Sequence, residues 1–147
     1  MFRRGQSQDS HLSSSRLSQL KDRTAAVRRD LVTLKPIAGK GRGVVAIRPI
    51  PKGTLIEAAP VIRMKKRDRL DRSTVLSQYP FEWPDPPYVQ AFVLGWIALL
   101  NHDDAPNCRS EVDVNEEVIR CWTIVDVPKG AELTHSYGIE PWFKVAK

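Results

Sequence analysis

Glycine and proline interrupt this chain so often beyond residue 30 that long helices have little room. They cluster at residues 39–43, 49–53 and 128–130, and only short apolar runs lie between the clusters. Short runs rich in β-branched residues and bounded by Gly and Pro predict strands rather than helices. The chain therefore favours a mainly β fold. The predicted strands cover residues 31–36, 44–47, 54–62 (with Pro60 as its end) and 132–136.

The middle of the chain is less regular. Residues 63–90 have basic residues first and prolines later, which indicates a variable insert. Residues 88–100 fit a short helix and a buried strand equally well, because an apolar run of this length has no decisive period. A polar loop is expected at 101–107. A hairpin follows, with strands at 111–114 and 118–127.

Residues 1–30 form a basic tail rich in Ser and Arg. It holds seven Arg or Lys and three Asp. Leu17, Leu20 and Val27 recur at helical spacing, which predicts one helix between residues 15 and 30. This helix either docks on the following domain or folds only with a partner.

Charge and cysteine content argue against several classes of protein. The net charge of +6 is concentrated in the tail and in residues 63–72, whereas a nucleic-acid interface spreads its basic residues over one face. Cys108 and Cys121 are too few for a disulfide framework or a Cys-only zinc site, so we expect no metal and a reducing, cytoplasmic setting. No apolar run approaches the roughly 20 residues that span a bilayer, and no membrane partner is expected.

Three motifs carry a resemblance to a known family. Residues 39–46 read Gly-Lys-Gly-Arg-Gly-Val-Val-Ala, residues 99–107 read Leu-Leu-Asn-His-Asp-Asp-Ala-Pro-Asn, and residues 132–138 read Glu-Leu-Thr-His-Ser-Tyr-Gly. In this order and at these spacings they resemble the SET domain of protein-lysine methyltransferases. The resemblance runs over residues 31–143. Residues 79–96 are also similar to small stand-alone SET proteins of bacteria and large viruses.

The resemblance implies a β-clip fold of small curved sheets, short helices and a C-terminal pseudoknot. In the knot, the C-terminal segment passes under a loop of the preceding chain and brings Asn101 and His102 to Tyr137. Asn107 would support the knot by bonding backbone. The catalytic domain is then residues 31–143, with the insert at 63–90, the tail at 1–30 and a C-terminal tail at 144–147.

The resemblance also implies S-adenosylmethionine as the cofactor. Asn101 would hold the amino group of the cofactor with its side chain, and the main chain of His102 would contact the adenine. Trp142 would either cover the adenine or plug the core. Glycines in the first motif let backbone approach a ligand closely. The main chain of three residues there would contact the methionine part, namely Lys40, Gly41 and Arg42.

Transfer to lysine needs a neutral amine, and deprotonation at pH 7 costs about 4.6 kcal/mol for a pKa near 10.4. A dry aromatic channel lowers that pKa. By the resemblance, Tyr137 is the catalytic residue and aligns the reactants electrostatically, since a Tyr is a poor base at pH 7. His135 stands where relatives often carry Phe or Tyr, and it would perturb the channel by charging near pH 6.5. The channel candidates are Tyr79, Trp83, Tyr88, Trp96 and His135.

Two departures from the family pattern leave alternatives open. Asp103 follows the His where relatives more often have Ser; it either bonds backbone in place of the Ser or disturbs the cofactor loop. His135 leaves the number of added methyl groups open. With the basic tail, these departures keep a second function in view, a non-catalytic SET-fold module that binds protein. The basic charge of the chain keeps a third, a basic protein associated with nucleic acid.

The expected partner is a protein with an accessible lysine, such as a basic histone-like or ribosomal protein. Six acidic residues would attract a basic tail or simply form a solvated hairpin: Asp103, Asp104, Glu111, Asp113, Glu116 and Glu117. A homodimer is one way for so short a chain to complete a substrate groove. A substrate bound to DNA would place the protein in the nucleoid or nucleus rather than the cytoplasm.

Overall fold

Nine short strands form two sheets in residues 24–137, the part of the chain that the computed structural model describes. Three short 3₁₀ turns lie at Lys66–Asp68, Val75–Gln78 and Trp96–Leu99. The predicted mainly β class with few, short helices is confirmed. The strands are β1 (Val32–Ile37), β2 (Gly41–Ala46), β3 (Leu55–Lys65), β4 (Phe81–Glu82), β5 (Tyr88–Val93), β6 (Asn101–His102), β7 (Cys108–Asp113), β8 (Val118–Thr123) and β9 (Glu132–His135).

The larger sheet has five antiparallel strands in the order β4-β5-β3-β8-β7. Its central strand, β3, runs to Lys65, so the prediction that Pro60 ends this strand is wrong. β3 pairs with β8 up to Pro60 and with β5 from Val61 onward. The proline therefore lies where the strand changes partners, a position at which a missing N–H disrupts no continuous ladder.

The smaller sheet has the order β1-β2-β9-β6 and contains the one parallel pair of strands in the described range. Asn101 and His102 were expected in a polar loop, but they form β6 and pair with Thr134 and His135 of β9. β9 thus lies between β2, near the start of the domain, and β6. Three motifs that are distant in sequence become neighbours in this sheet.

Asn107 holds this arrangement in place. Its Nδ2 donates to the Glu132 carbonyl at 2.7 Å, and its Oδ1 accepts the Thr134 amide at 2.9 Å. As predicted, this side chain bonds backbone. A single amide satisfies both a donor and an acceptor on β9, on the side facing away from β2. The pseudoknot itself stays a prediction.

The core lies between the two sheets and under the Trp96–Leu99 turn. Cys108 and Cys121 are free and fully buried, in keeping with small apolar side chains. Glu57 is also buried, and its carboxylate accepts the Ile97 amide at 2.9 Å. The largest fully buried apolar side chains are Ile50, Ile97, Ile119, Leu133, Val32, Val44, Val118 and Val127.

Two sequence expectations differ from the structure near the start of the domain and in the insert. Residues 24–30 are not helical, since Ala25 bridges Ala58 and a turn follows. Val27 packs against the core there without a helical stripe. The insert 63–90 begins inside β3 and contains β4. The ambiguous stretch 88–100 is a strand, β5, followed by a 3₁₀ turn.

Residues 1–23 and 138–147 lie outside the described range. This applies to most of the predicted tail helix, to Trp142 and to the predicted C-terminal tail. Within residues 24–137, no helix is long and apolar enough to cross a membrane.

Candidate active site

The polar half of the site centres on the side chain of Asn101. Its Nδ2 donates to the Arg42 carbonyl at 3.1 Å and to Glu132 Oε1 at 2.6 Å. Lys40 Nζ lies 3.4 Å from the other oxygen of the same carboxylate. The pairing of β2 and β6 with β9 therefore brings together three residues that were predicted for the cofactor, Lys40, Arg42 and Asn101, around Glu132.

Glu132 was not among the predicted site residues. In the sequence it reads as the first residue of a strand, with no spacing that marks it. Its side chain is 17% exposed and contacts both Asn101 and Lys40. Glu132 makes these contacts because β9 lies between β2 and β6.

The first motif provides a cradle beside this cluster. Gly41 has φ +76°, a backbone conformation that L side chains rarely adopt. A Cβ at Gly43 would lie 2.7 Å from Glu132 Oε1 and from Ile37 Cγ1, and 3.0 Å from Asn101 Nδ2. The space around Gly41 is thus open, whereas the missing side chain of Gly43 gives room to Ile37, to the Glu132 carboxylate that pairs with the Lys40 ammonium, and to the Asn101 amide. This donor and acceptor set fits the charged amino-acid end of S-adenosylmethionine.

The aromatic half of the site begins at His102, which is buried. Its Nδ1 accepts the backbone N–H of Tyr137 at 3.1 Å, so the neutral ring carries its proton on Nε2. Nε2 lies 3.0 Å from Asp104 Oδ1 and donates to it. His102 therefore fixes the backbone of Tyr137 in addition to the main-chain role that the resemblance implies.

Asp103 accepts the Ala105 amide at 2.8 Å, and its own N–H donates to the His135 carbonyl at 3.1 Å. Of the two alternatives for this departure, Asp103 takes the one in which it bonds backbone. The loop is thereby held to β9.

Tyr137 lies at the junction of the two halves. Its ring is 37% exposed and packs against the rings of His102 and His135, with centroids 5.2 and 5.1 Å apart. Its hydroxyl donates to the Leu100 carbonyl at 3.3 Å. Burial raises the pKa of Tyr137, and negative charge on Tyr79 or Glu132 adds to that increase. The phenol is therefore neutral at pH 7, and it positions groups rather than removing a proton.

His135 lies under Tyr137 with only 2% of its surface exposed. Its Nδ1 lies 3.0 Å from Ser110 Oγ, and Phe81 packs on its ring at 5.5 Å. Burial lowers the pKa of His135 to about 4, with a further contribution from His102. The expectation that His135 charges near pH 6.5 is therefore wrong, because the neutral ring is part of the core beneath the tyrosine.

This buried histidine makes the fold sensitive to mild acid. A folded pKa of about 4 against an ordinary 6.5 means that the unfolded chain binds the proton more readily between these values. Stability is thus fully present above pH 6.5 and falls as pH drops toward 4, by about 2 kcal/mol between pH 7 and pH 5. We expect urea unfolding to show this loss in the free energy of unfolding. In His135→Phe, the part of the loss that comes from His135 should be absent. Equal pH dependence in both proteins would contradict the assignment.

The other channel candidates lie in different places. Tyr79 is close enough to Tyr137 for its charge to affect the pKa of that residue. Tyr88 instead stacks with Arg63 at 4.1 Å, and Trp96 lies under Arg29 at 5.9 Å. Trp83 is buried in the core. Phe81, which was missed, contacts His135; the aromatic stretch 79–83 was the available signal.

Within residues 24–137, no three His, Cys, Asp or Glu side chains come together in a way that could hold a metal ion.

Comparison with known proteins agrees with this geometry. The SET domain family model matches residues 41–138. The histone-lysine N-methyltransferase, H3 lysine-37 specific, of Schizosaccharomyces pombe is 33% identical over 118 residues, which cover 79% of each chain. A crystal structure of a Plasmodium falciparum protein assigned as a histone methyltransferase superposes with a TM-score of 0.62 at 26% identity, covering 78% of this chain and 97% of that one. The chain belongs to the SET-domain family.

A second solved structure supports the fold alone. KRYPTONITE, crystallised in complex with mCHG DNA and SAH, superposes with a TM-score of 0.58 at 19% identity over 74% of this chain and 23% of that chain. Family membership confirms the predicted class of the protein, an S-adenosylmethionine-dependent protein-lysine methyltransferase.

Proposed function

We propose that this protein methylates a lysine of a histone and that Tyr137 is its catalytic residue. The observation that carries the proposal is the meeting of two groups at the β6–β9 pair. On one side lies the polar cluster of Asn101, Lys40 and Arg42; on the other lies the stack of His102, His135 and Tyr137. A ligand spanning the two would present a reactive centre to the tyrosine.

Each side of the site has a distinct task. S-adenosylmethionine supplies a methyl group on a positively charged sulfur, and the protein supplies binding and alignment. Asn101 Oδ1 would accept a hydrogen bond from the ammonium of the amino-acid end, because both described partners of Nδ2 are acceptors. The backbone of Lys40, Gly41 and Arg42 lines the same end. Trp142 remains a proposed cover for the adenine.

Tyr137 orients the lysine amine. Its hydroxyl donates to the Leu100 carbonyl, and the hydroxyl oxygen would accept a hydrogen bond from the lysine amine. His102 and His135 fix the ring from two sides. The half-buried Phe81, which packs on the buried His135, would provide a wall of low polarity, and such a wall would lower the pKa of an incoming lysine by desolvation. We include Tyr79 in the channel because of its proximity to Tyr137.

A histone is favoured as the substrate because the Schizosaccharomyces pombe relative is a histone H3 methyltransferase by name. The acidic residues of the hairpin contribute less to recruitment than their number suggests. Glu111, Asp113 and Glu117 pair with arginines of the same chain, and Asp103 bonds backbone. A histone substrate would place the protein in the nucleus. Dimerisation stays a proposal without a described contact to support it.

The non-catalytic alternative has lost its main support. Asp103 and His135 departed from the family pattern, but the first bonds the loop backbone and the second packs neutrally under an intact tyrosine. The nucleic-acid alternative rested on the basic residues of the tail and of residues 63–72. In the second of these segments, Tyr88 engages Arg63 and Lys65, and Glu117 pairs with Arg63.

The proposal is tested by methyl transfer. Purified protein is incubated with isotope-labelled S-adenosylmethionine and recombinant histones, with a protein lysate in parallel, and the labelled residue is identified by mass spectrometry. We expect label on a histone lysine. Label only on other proteins of the lysate would overturn the proposal that the substrate is a histone. Absence of both label and SAH binding would overturn the proposal that the protein is a methyltransferase.

A further inference from the structure

Glu132 makes two contacts that the proposed function does not use. Its Oε1 accepts from Asn101 Nδ2 at 2.6 Å, and its Oε2 lies 3.4 Å from Lys40 Nζ. The carboxylate is mostly withdrawn from solvent, with 17% of the side chain exposed. A mostly buried charge with partners on both oxygens, at the edge of a ligand cradle, calls for a reason beyond strand formation.

The first effect of Glu132 is on the orientation of the Asn101 amide. An asparagine amide can be turned by 180° at little cost unless its partners distinguish N from O. Here the Arg42 carbonyl and the Glu132 carboxylate are both acceptors, so both require the NH₂ group. The amide oxygen must therefore point the other way, as an acceptor for a cationic donor.

The second effect is electrostatic. Glu132 and Lys40 form an ion pair at the side of Gly43, where a Cβ would contact the carboxylate directly. The amino-acid end of the cofactor carries one ammonium and one carboxylate. A pair of opposite charges at this edge complements both ends of such a zwitterion, and partial burial strengthens the attraction by lowering the local dielectric constant.

We propose that Glu132 is a positioning residue that makes the cofactor site selective for the amino-acid end of its ligand. It does so by fixing the Asn101 amide and by balancing the charge of Lys40 at the edge of the Gly43 cradle. The inference rests on the proposed function, since it assumes that the site binds this cofactor.

The test uses two ligands that differ only at that end. S-adenosylhomocysteine carries the amino-acid group, and 5′-methylthioadenosine lacks it. Glu132→Gln keeps the shape of the side chain but removes its charge. The NH₂ group of the new glutamine can donate to the Asn101 amide oxygen when the Asn101 amide is turned by 180°. In calorimetry, we expect Glu132→Gln to weaken the binding of S-adenosylhomocysteine by about tenfold or more, which is the effect of losing a charged hydrogen bond. Binding of 5′-methylthioadenosine should change by less than about twofold.

Two further variants act as controls. Glu82→Gln removes an exposed carboxylate of β4 outside the cluster and should leave both affinities unchanged. Glu132→Asp keeps the charge and should recover part of the lost affinity for S-adenosylhomocysteine. If Glu132→Gln weakens both ligands equally, or neither, the proposal is overturned, because a purely structural residue gives that result. A wild-type protein that binds neither ligand would overturn the proposed function itself.

Discussion

Tyr137→Phe is expected to lower the rate of methyl transfer by about a hundred- to a thousandfold, the loss typical of removing one oriented polar group from a reacting centre. The hydroxyl accounts for this, because the ring itself is held by His102 and His135 and would stay in place as phenylalanine. The hydroxyl donates to the carbonyl of Leu100, which is a buried residue.

The effect should fall on kcat rather than on cofactor affinity. The Asn101 cluster does not involve the phenol, so S-adenosylhomocysteine binding should stay within about twofold of wild type. Single-turnover transfer to a histone peptide, with the melting temperature and S-adenosylhomocysteine affinity measured on the same preparation, separates these contributions. A variant that keeps its rate within about threefold would remove Tyr137 from the catalytic role.

The strand pattern of this fold could be predicted from sequence because glycine and proline mark its turns. Gly39, Gly41, Gly53 and Gly130 have φ between +74° and +86°. Gly53 and Gly130 each end a Pro-Lys-Gly turn. The residues before those two turns, Ile50 and Val127, even bridge each other. Such features depend on local backbone geometry, which residue type reports directly.

The joining of β6 to β9 could not be predicted from periodicity. A two-residue strand has no pattern, and its parallel partner lies more than thirty residues further along the chain. Only the family resemblance indicated that Asn101 and His102 meet Tyr137. Glu132 was missed for the same reason, since its contacts arise from that joining. Likewise, the sequence gives His135 its ordinary pKa, whereas the value of about 4 follows from burial that only the packed structure reveals.

The two halves of the site are coupled through β9. Glu132 begins this strand, His135 ends it, and Tyr137 follows two residues later. Asn107 and the Asp103 loop hold β9 on the side of β6. A ligand that orders the polar half therefore acts on the same strand that carries the tyrosine, which gives the site one rigid support rather than two independent ones.

Gly43→Val is expected to weaken S-adenosylhomocysteine binding by about ten- to a hundredfold, because it would displace Glu132 and break the charged hydrogen bond that orients Asn101, a loss of about 1.5–3 kcal/mol. The new Cβ alone would approach Glu132 Oε1 and Ile37 Cγ1 to 2.7 Å. Ile37 is packed in β1, so the carboxylate gives way, and its hydrogen bond to Asn101 is lost. The substitution thus damages the cradle and the Asn101 orientation together.

Gly53→Ala separates this loss from a general loss of stability. Gly53 has φ +79° with open space around it, so alanine there adds backbone strain at a turn outside the site. We expect Gly53→Ala to lower the melting temperature while leaving S-adenosylhomocysteine affinity unchanged. Gly43→Ala should weaken the binding of S-adenosylhomocysteine less than Gly43→Val does. Both variants should weaken the binding of S-adenosylhomocysteine more than that of 5′-methylthioadenosine. If the two ligands weaken in parallel across the series, the cradle beside Gly43 does not hold the amino-acid end, and the cofactor must lie elsewhere along β9.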